Sequence, residues 1–307
     1  MSVIGFDTSN YTTSISWYDG VTGINLSQLL PVKEGALGLR QSDAVFQHTK
    51  SLPELSGRLF SDITDNITAV GVSTRPRAVD GSYMPCFMVG YSHASLLANA
   101  LKVPLIECSH QQGHVASALW SAGRMELMDS PHLAWHLSGG TTELLLVEPS
   151  GKNVQCTKIG GTTDISAGQL IDRAGQLLNL PFPSGKYLDK LSAAAQKSDV
   201  FKVKCNNLTF SLSGVENKVR RYAEEHNDPS ETAGYALRCI CYTIFKTTQE
   251  ALKRYPGLPV VFSGGVASNS MLRSAVACLQ PVFAAPQYST DNAMGIAIIA
   301  HRIQEDK

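Results

Sequence analysis

Two strand–turn–strand units of one design stand about 130 residues apart, and no other feature limits the fold as much. The first runs Val3-Ile4-Gly5-Phe6, then the polar turn Asp7-Thr8-Ser9-Asn10-Tyr11-Thr12-Thr13, then Ser14 to Tyr18. The second runs His132 to Leu137, then Ser138-Gly139-Gly140-Thr141-Thr142-Glu143, then Leu144 to Val147. Repetition of this kind predicts two similar lobes. The division falls at residues 1–125 and 126–307, with the last helix returning to the first lobe. A chain of 307 residues also exceeds the size at which one core usually stops growing. Between and after the two units, helical and strand patterns alternate. Helices are predicted near 43–60, 84–101, 111–120, 166–179, 213–226, 231–254, 269–279 and 291–304, strands at 69–73 and 103–107, and a buried strand at 259–262. Hairpins combined with helix–strand alternation give an α/β class.

Composition narrows the partners. Lysine plus arginine equals aspartate plus glutamate, so the formal net charge is zero and no global field draws in nucleic acid. An RNA partner therefore requires a local basic patch or a companion protein. The seven cysteines form no CxxC pair, which excludes a structural zinc site of that type and fits small buried thiols in a reducing compartment. The start lacks a basic signal region and no uncharged apolar stretch is long enough to span a bilayer, so a cytoplasmic protein without a membrane partner is expected.

The turns carry the first chemistry. A Thr/Ser/Gly hairpin turn presents backbone N–H groups and hydroxyls to one point, a natural phosphate cradle. Asp7, at the end of the first strand, is placed to hold a metal-bound water beside such a phosphate. A single turn of this sort is more often an ordinary polar hairpin, but two in register favour a nucleotide site. A third element, Phe262-Ser263-Gly264-Gly265-Val266-Ala267-Ser268-Asn269, follows a buried strand and opens a helix. Its glycines let backbone approach a flat ligand, and Asn269 stands where a helix start binds or caps. The three elements together point to a nucleotide cleft between lobes.

His110-Gln111-Gln112-Gly113-His114 puts two imidazoles on one helix face, about a turn apart, which suits a shared metal. Chance competes: with eight histidines in this length a random pair at that spacing is expected roughly one time in five. Zinc peptidases place a glutamate beside the first histidine; Gln111 and Gln112 cannot take a proton, so peptidase activity is not expected. Ser289-Thr290-Asp291-Asn292 before the final helix reads on its own as a helix cap.

Taken in order, these segments resemble the TsaD family of tRNA threonylcarbamoyladenosine transferases, historically labelled O-sialoglycoprotein endopeptidase or peptidase M22. That family belongs to the actin/hexokinase/heat-shock ATPase superfamily. The matching segments are GFDTSNYTTS, QHTKSLPEL, HQQGH, LSGGTTELLLV, TTDISAGQLIDRAGQLLNLPFPSG, FSLSG, FSGGVASNSMLR and STDNAMGIA. The resemblance implies two duplicated lobes and metal ligands His110, His114 and Asp291, which are also the implied catalytic centre. It implies that Asp7, Thr8, Ser9, Ser138, Gly139 and Gly140 face phosphates. Asp164, Gly168, Asp172 and Gly185 would hold ribose and flank the pocket, with Gly264, Gly265 and Asn269 on the adenine side. The implied cofactors are one divalent metal (iron, zinc or magnesium are compatible) and ATP or an acyl-adenylate. The implied reaction moves a threonylcarbamoyl group from an adenylate to a tRNA adenosine, beside a companion protein of the same fold.

Departures from the family pattern are visible. Asn10, Tyr11 and Thr12 stand where the family carries an acidic pair, and Thr141 where it has a histidine. Thr74-Arg75-Pro76-Arg77 replaces a Gly-Pro-Gly turn, Asp164-Ile165 retains one carboxylate of two, and Pro183-Ser184-Gly185-Lys186 replaces Pro-Gly-Gly-Pro. The basic tail is absent. This pattern reads as a divergent paralogue, for which the alternatives are a carbamoyltransferase with another acceptor or a non-catalytic nucleotide-binding scaffold.

Overall fold

A computed structural model describes residues 1–9, 11–32 and 39–306. Asn10, one of the departures in the first turn, lies outside them. The chain forms two compact units. Unit 1 comprises Met1–Pro131, Val147–Cys156 and Asp291–Lys307; unit 2 comprises His132–Leu146 and Thr157–Thr290. The division thus falls after Pro131 rather than at 125/126, and a hairpin tip at 147–156 joins unit 1 as well as the last helix.

In unit 1, β1 (Ser2–Ser9), β2 (Thr12–Tyr18) and β3 (Gly23–Leu29) form an antiparallel meander. After α1 (Gln41–Asp62), strand β4 (Ile67–Arg75) pairs parallel with β1; after α2 (Phe87–Leu101), β5 (Leu105–Ser109) pairs parallel with β4. The sheet order is β3-β2-β1-β4-β5. β1 is buried on both faces, which suits its Val-Ile-Phe run. One side buries Ile4, Phe6, Ile15, Val70 and Val72 with Leu52, Leu55 and Leu59 of α1. α3 (His110–Ser121) follows β5 without a linker.

In unit 2, β6 (His132–Leu137), β7 (Thr142–Ser150) and β8 (Asn153–Thr162) precede α4 (Ala167–Leu177), α5 (Gly185–Ser192) and the short β9 (Thr209–Phe210). Then come α6 (Ser213–His226), α7 (Pro229–Arg254), β10 (Val260–Ser263), α8 (Ser270–Val276) and β11 (Val282–Phe283). The order is β11-β10-β6-β7-β8-β9, with β10 parallel to both β6 and β11. Each unit's first strand therefore lies between its hairpin partner and a later parallel strand. That shared topology is the duplication expected from the two turns. The last helix, α9 (Met294–Glu305), belongs to unit 1 and packs on β1, β4 and α3. Among the described residues no helix is long and apolar enough to cross a membrane.

Candidate functional site

The first site is set by how α3 begins. Ser109 ends β5 in extended conformation and accepts from the N–H of Gln112, while the Gln112 side chain accepts from the N–H of Ser109. This reciprocal capping box starts the helix at His110 and places His114 one turn on, on the same face. The Gln112 amide also donates to the Val154 carbonyl at 2.6 Å. Here Gln112 fixes the register of the histidine pair.

Asp291 comes from the other end of unit 1. It does not cap α9, whose N-cap is Ala293; the side chain of Asn292, which follows Asp291, accepts from the N–H of Met294 at 3.1 Å. The Asp291 carboxylate instead meets the two imidazoles. Its Oδ1 lies 3.2 Å from His114 Nε2 and 3.5 Å from His110 Nε2, and the two Nε2 atoms are 3.0 Å apart. Three groups, each able to offer a lone pair, converge on one point, an arrangement a divalent cation satisfies. The expected ligands His110, His114 and Asp291 are thus brought together.

Asp7 takes a different position from the one expected of a phosphate-loop carboxylate. Its Oδ2 accepts from Nδ1 of His110 at 2.7 Å and its Oδ1 accepts from Ser73 Oγ at 2.7 Å. With Nδ1 carrying the proton, His110 turns Nε2 toward His114 and Asp291. Such an outer carboxylate orients a ligating histidine and raises its basicity. Burial alone pulls the His110 imidazole down; the charges and hydrogen bonds of Asp7 and Asp291 outweigh it and raise it to about 10. Burial pushes Asp291 up, but hydrogen bonds from His110 and His114 hold it well below the usual carboxylate range. A raised imidazole keeps its proton through neutral pH, so an incoming metal has to displace it. Metal affinity is therefore expected to rise with pH by up to about tenfold per unit and to level off near pH 10, in competitive chelator titrations. Affinity independent of pH would contradict this.

Helix α3, which carries both histidines, and helix α9, which Asp291 precedes, touch backbone to backbone. A Cβ on Gly295 of α9 would stand 1.8 Å from the carbonyl oxygen of Gly113, and one on Gly113 would meet the tip of Ile296 at 2.6 Å. Only glycine lets α3 and α9 cross this closely.

The second site lies in unit 2. A pocket of about 450 Å³ is lined by Gly139, by Gly168, Ile171 and Asp172 of α4, and by Pro183, Gly185, Lys186 and Asp189 around α5. Gly265, Val266, Ser268, Asn269 and Thr290 complete it. The size suits a nucleoside. The turn between β6 and β7 is closed by Ser138 N–H to the Thr141 carbonyl at 2.8 Å, and it is clamped to the start of α4. Ser166 Oγ donates to the Gly139 carbonyl at 2.6 Å, and the N–H of Ala167 donates to Thr142 Oγ1 at 2.8 Å. Gly264, at φ 89°, has no room for a Cβ against the Leu137 carbonyl at 2.2 Å. Asn269 caps α8 through Leu272 N–H at 2.9 Å and donates to Asp189 Oδ1 at 2.9 Å.

Of the residues expected to face a nucleotide, Gly139, Gly168, Asp172, Gly185, Gly265 and Asn269 line this pocket. Asp172 accepts from the N–H of Ser184, and burial pushes its carboxyl up. Ser138, Gly140 and Gly264 sit beside the lining, in the turns that shape it. Asp164 does not line it. Its carboxylate accepts from the backbone of Leu212 and from Ser211 and Ser213, and those bonds hold it far below its ordinary range against the opposing effect of burial. In unit 1, Thr8 bonds the start of α2 through the Cys86 carbonyl and Gly90 N–H, and Ser9 is buried with no hydrogen-bond partner for its hydroxyl among the described residues. His48 is fully buried against Thr13 Oγ1 at 2.7 Å, and burial lowers it to about 4. Sequence reading missed Asp189, Lys186, Ser73 and the structural role of Gln112. Only Gln112 had a local signal, the Ser-x-x-Gln capping box.

Residues 37–298 match the TsaD family, tRNA N6-adenosine threonylcarbamoyltransferase. A relative named tRNA N6-adenosine threonylcarbamoyltransferase, from Carboxydothermus hydrogenoformans, is 33% identical over 245 residues, covering 76% of this chain and 70% of its own length. Among solved structures, full-length HypF in its phosphate- and nucleotide-bound form aligns with TM-score 0.61 and 14% identity over 99% of this chain and 46% of HypF. A ROK hexokinase from Thermus thermophilus aligns over the full length of both chains with TM-score 0.56 and 16% identity. These distant likenesses show a shared fold of two α/β lobes.

Proposed function

The chain belongs to the tRNA N6-adenosine threonylcarbamoyltransferase family, and on that premise we propose that it transfers a threonylcarbamoyl group from an adenylate donor to an adenosine of tRNA. In this reaction the exocyclic amine attacks the carbamoyl carbonyl, the bond from that carbon to the phosphate oxygen breaks, AMP leaves and the amine loses a proton. The observation that carries the reading is the convergence of His110, His114 and Asp291. A divalent metal bound there supplies Lewis acidity for a carbonyl or phosphate oxygen. The chain's own part is to hold two imidazoles and one carboxylate in register. The capping box, Asp7 and the Gly113–Gly295 contact do so.

The pocket of unit 2 is the proposed seat of the adenylate's nucleoside. Asp172, Asp189 and Asn269 offer polar groups to ribose and base, and glycines at 139, 168, 185 and 265 leave room for the ligand. A companion protein of the same fold and a cytoplasmic location belong to the same proposal. Seven cysteines, all unpaired, agree with that location.

The test is mass-spectrometric. Protein, threonylcarbamoyl adenylate, unmodified tRNA and the host's companion proteins are combined, with His110→Ala as control. Wild type is expected to form threonylcarbamoyladenosine, and His110→Ala to lose at least about a hundredfold in rate. Adenylate consumed without modified tRNA would replace tRNA by another acceptor. Equal rates for wild type and His110→Ala would remove the metal centre from the reaction.

A further inference from the structure

Residues 196–207 of unit 2 have almost no regular structure, yet they are tied along the length of α7. At one end the N–H groups of Gln196 and Lys197 donate to the Glu231 carboxylate at 2.7 and 3.2 Å. In the middle the N–H of Phe201 donates to Cys239 Sγ at 3.2 Å. Farther on, Thr247 Oγ1 donates to Cys205 Sγ at 3.6 Å and Arg254 donates to Asn207 Oδ1 at 2.6 Å. From Glu231 to Arg254 the helix rises roughly 35 Å, and the segment from Gln196 to Asn207 covers that length only if nearly fully extended. Val200 and Val203 pack against the core beneath. Lys202 and Lys204, two residues apart, stand exposed.

These lysines have company. Lys218 lies over the Phe201 ring at 5.4 Å, Lys197 over Tyr222 at 6.0 Å, and Lys246 over Phe245 at 5.8 Å. Arg254 stands at the far end on a neutral partner. Among the described residues none of Lys197, Lys202, Lys204, Lys218, Lys246 and Arg254 is in an ion pair. Four acids of the same stretch already have donors, while Glu224 of α6 stands exposed. Asp199 accepts from Tyr222, Glu231 takes two N–H groups with Arg238 at 3.8 Å, Glu250 pairs with Lys253, and Glu216 pairs with Arg173 and Arg220. The chain as a whole is neutral, but the residues of unit 1 sum to −4 and those of unit 2 to +4. Among the described residues Glu54, Asp62, Asp65 and Asp80 of unit 1 are in no ion pair, and Glu224 of α6 is an exposed acid of unit 2 in none.

We propose that this strip along α7 docks the phosphate backbone of an RNA, a reading that rests on the tRNA acceptor proposed above. A narrow line of cations roughly 35 Å long matches a strand of phosphates better than the plane of a lipid surface, which would call for an apolar face to insert. Phe201, 36% exposed and bracketed by lysines, adds a surface on which a base can stack. Contacts of this kind give position along the backbone and carry no sequence information.

The experiment measures binding of unmodified tRNA to the full chain with its companion proteins at several salt concentrations. It uses the double variants Lys202→Glu with Lys204→Glu and Lys202→Arg with Lys204→Arg. The glutamate pair is expected to weaken binding at least about tenfold and to flatten the salt dependence by about two counterions, while the arginine pair binds as wild type. Metal content and adenylate binding stay unchanged in both, which reports an intact fold. If the glutamate pair binds tRNA like wild type, the strip is not the docking surface, although the acceptor stands. If wild type itself binds no tRNA, the acceptor reading falls and the strip's role falls with it.

Discussion

An alanine at position 295 is expected to leave the protein without its metal centre. The added Cβ would stand 1.8 Å from the Gly113 carbonyl oxygen, 2.6 Å from its carbon and 2.9 Å from its Cα. All three are backbone atoms, so no side-chain rotation relieves the clash and the helices have to part. The histidines sit on α3, and Asp291 sits on the segment that leads into α9. His114 follows Gly113 directly on α3, and Asp291 lies four residues before Gly295, ahead of α9. Ligand atoms that stand 3.2 and 3.5 Å from Asp291 Oδ1 cannot tolerate a shift of an ångström, because metal–ligand distances hold to about 0.2 Å. Overpacking of this kind also costs about 1–3 kcal/mol of stability. Metal analysis of purified Gly295→Ala should therefore fall to background while nucleotide binding in unit 2 persists. Gly113→Ala should do less harm, since its Cβ meets only the flexible tip of Ile296 at 2.6 Å. Wild-type metal affinity in Gly295→Ala would show that the glycine contact does not hold the centre together.

That contact also marks where sequence reading stops. The histidine pair was legible because helical periodicity is local: residues four apart share a face whatever the rest of the chain does. The alternation of helix and strand was legible for the same reason, and α6 (213–226) was placed to the residue. Strand β3 was missed because it is an edge strand, half exposed, with no apolar run. Helix α5 was missed because Pro181, Pro183 and Gly185 read as loop. Asp291 could not be read from its neighbours, since an Asp-Asn pair before a helix looks like a cap, and it is Asn292 that bonds the first N–H of α9. Asp7 and His110 are 103 positions apart in sequence, and only the parallel pairing of β1, β4 and β5 brings them and Ser73 together. Asp189 has no local signal, and its role shows only once α5 lies beside Asn269. A glycine inside a helical pattern is a general sign of close packing, and Gly113 and Gly295 both carried it. What local pattern cannot supply is the partner.

Gly168→Ala is expected to do to the nucleotide pocket what Gly295→Ala does to the metal. Its Cβ would stand 2.5 Å from Gly139 Cα and from the Ser138 carbonyl oxygen, and 2.9 Å from the Gly139 nitrogen. Here too every obstacle is backbone, so α4 has to move off the turn. That movement breaks the bond from Ser166 Oγ to the Gly139 carbonyl and the bond from Ala167 N–H to Thr142 Oγ1. Two hydrogen bonds at about 1 kcal/mol each, together with about 1–3 kcal/mol of overpacking, correspond to a loss of roughly a hundredfold to several thousandfold in nucleotide affinity. Calorimetric titration with ATP reads the loss directly. Metal content should match wild type, because His110, His114 and Asp291 all lie in unit 1 and Gly168 in unit 2. Nucleotide affinity within about threefold of wild type would mean that the clamp between the turn and α4 does not shape the binding surface. A clean loss of nucleotide with metal retained, set against the opposite result in Gly295→Ala, would assign one ligand to each unit.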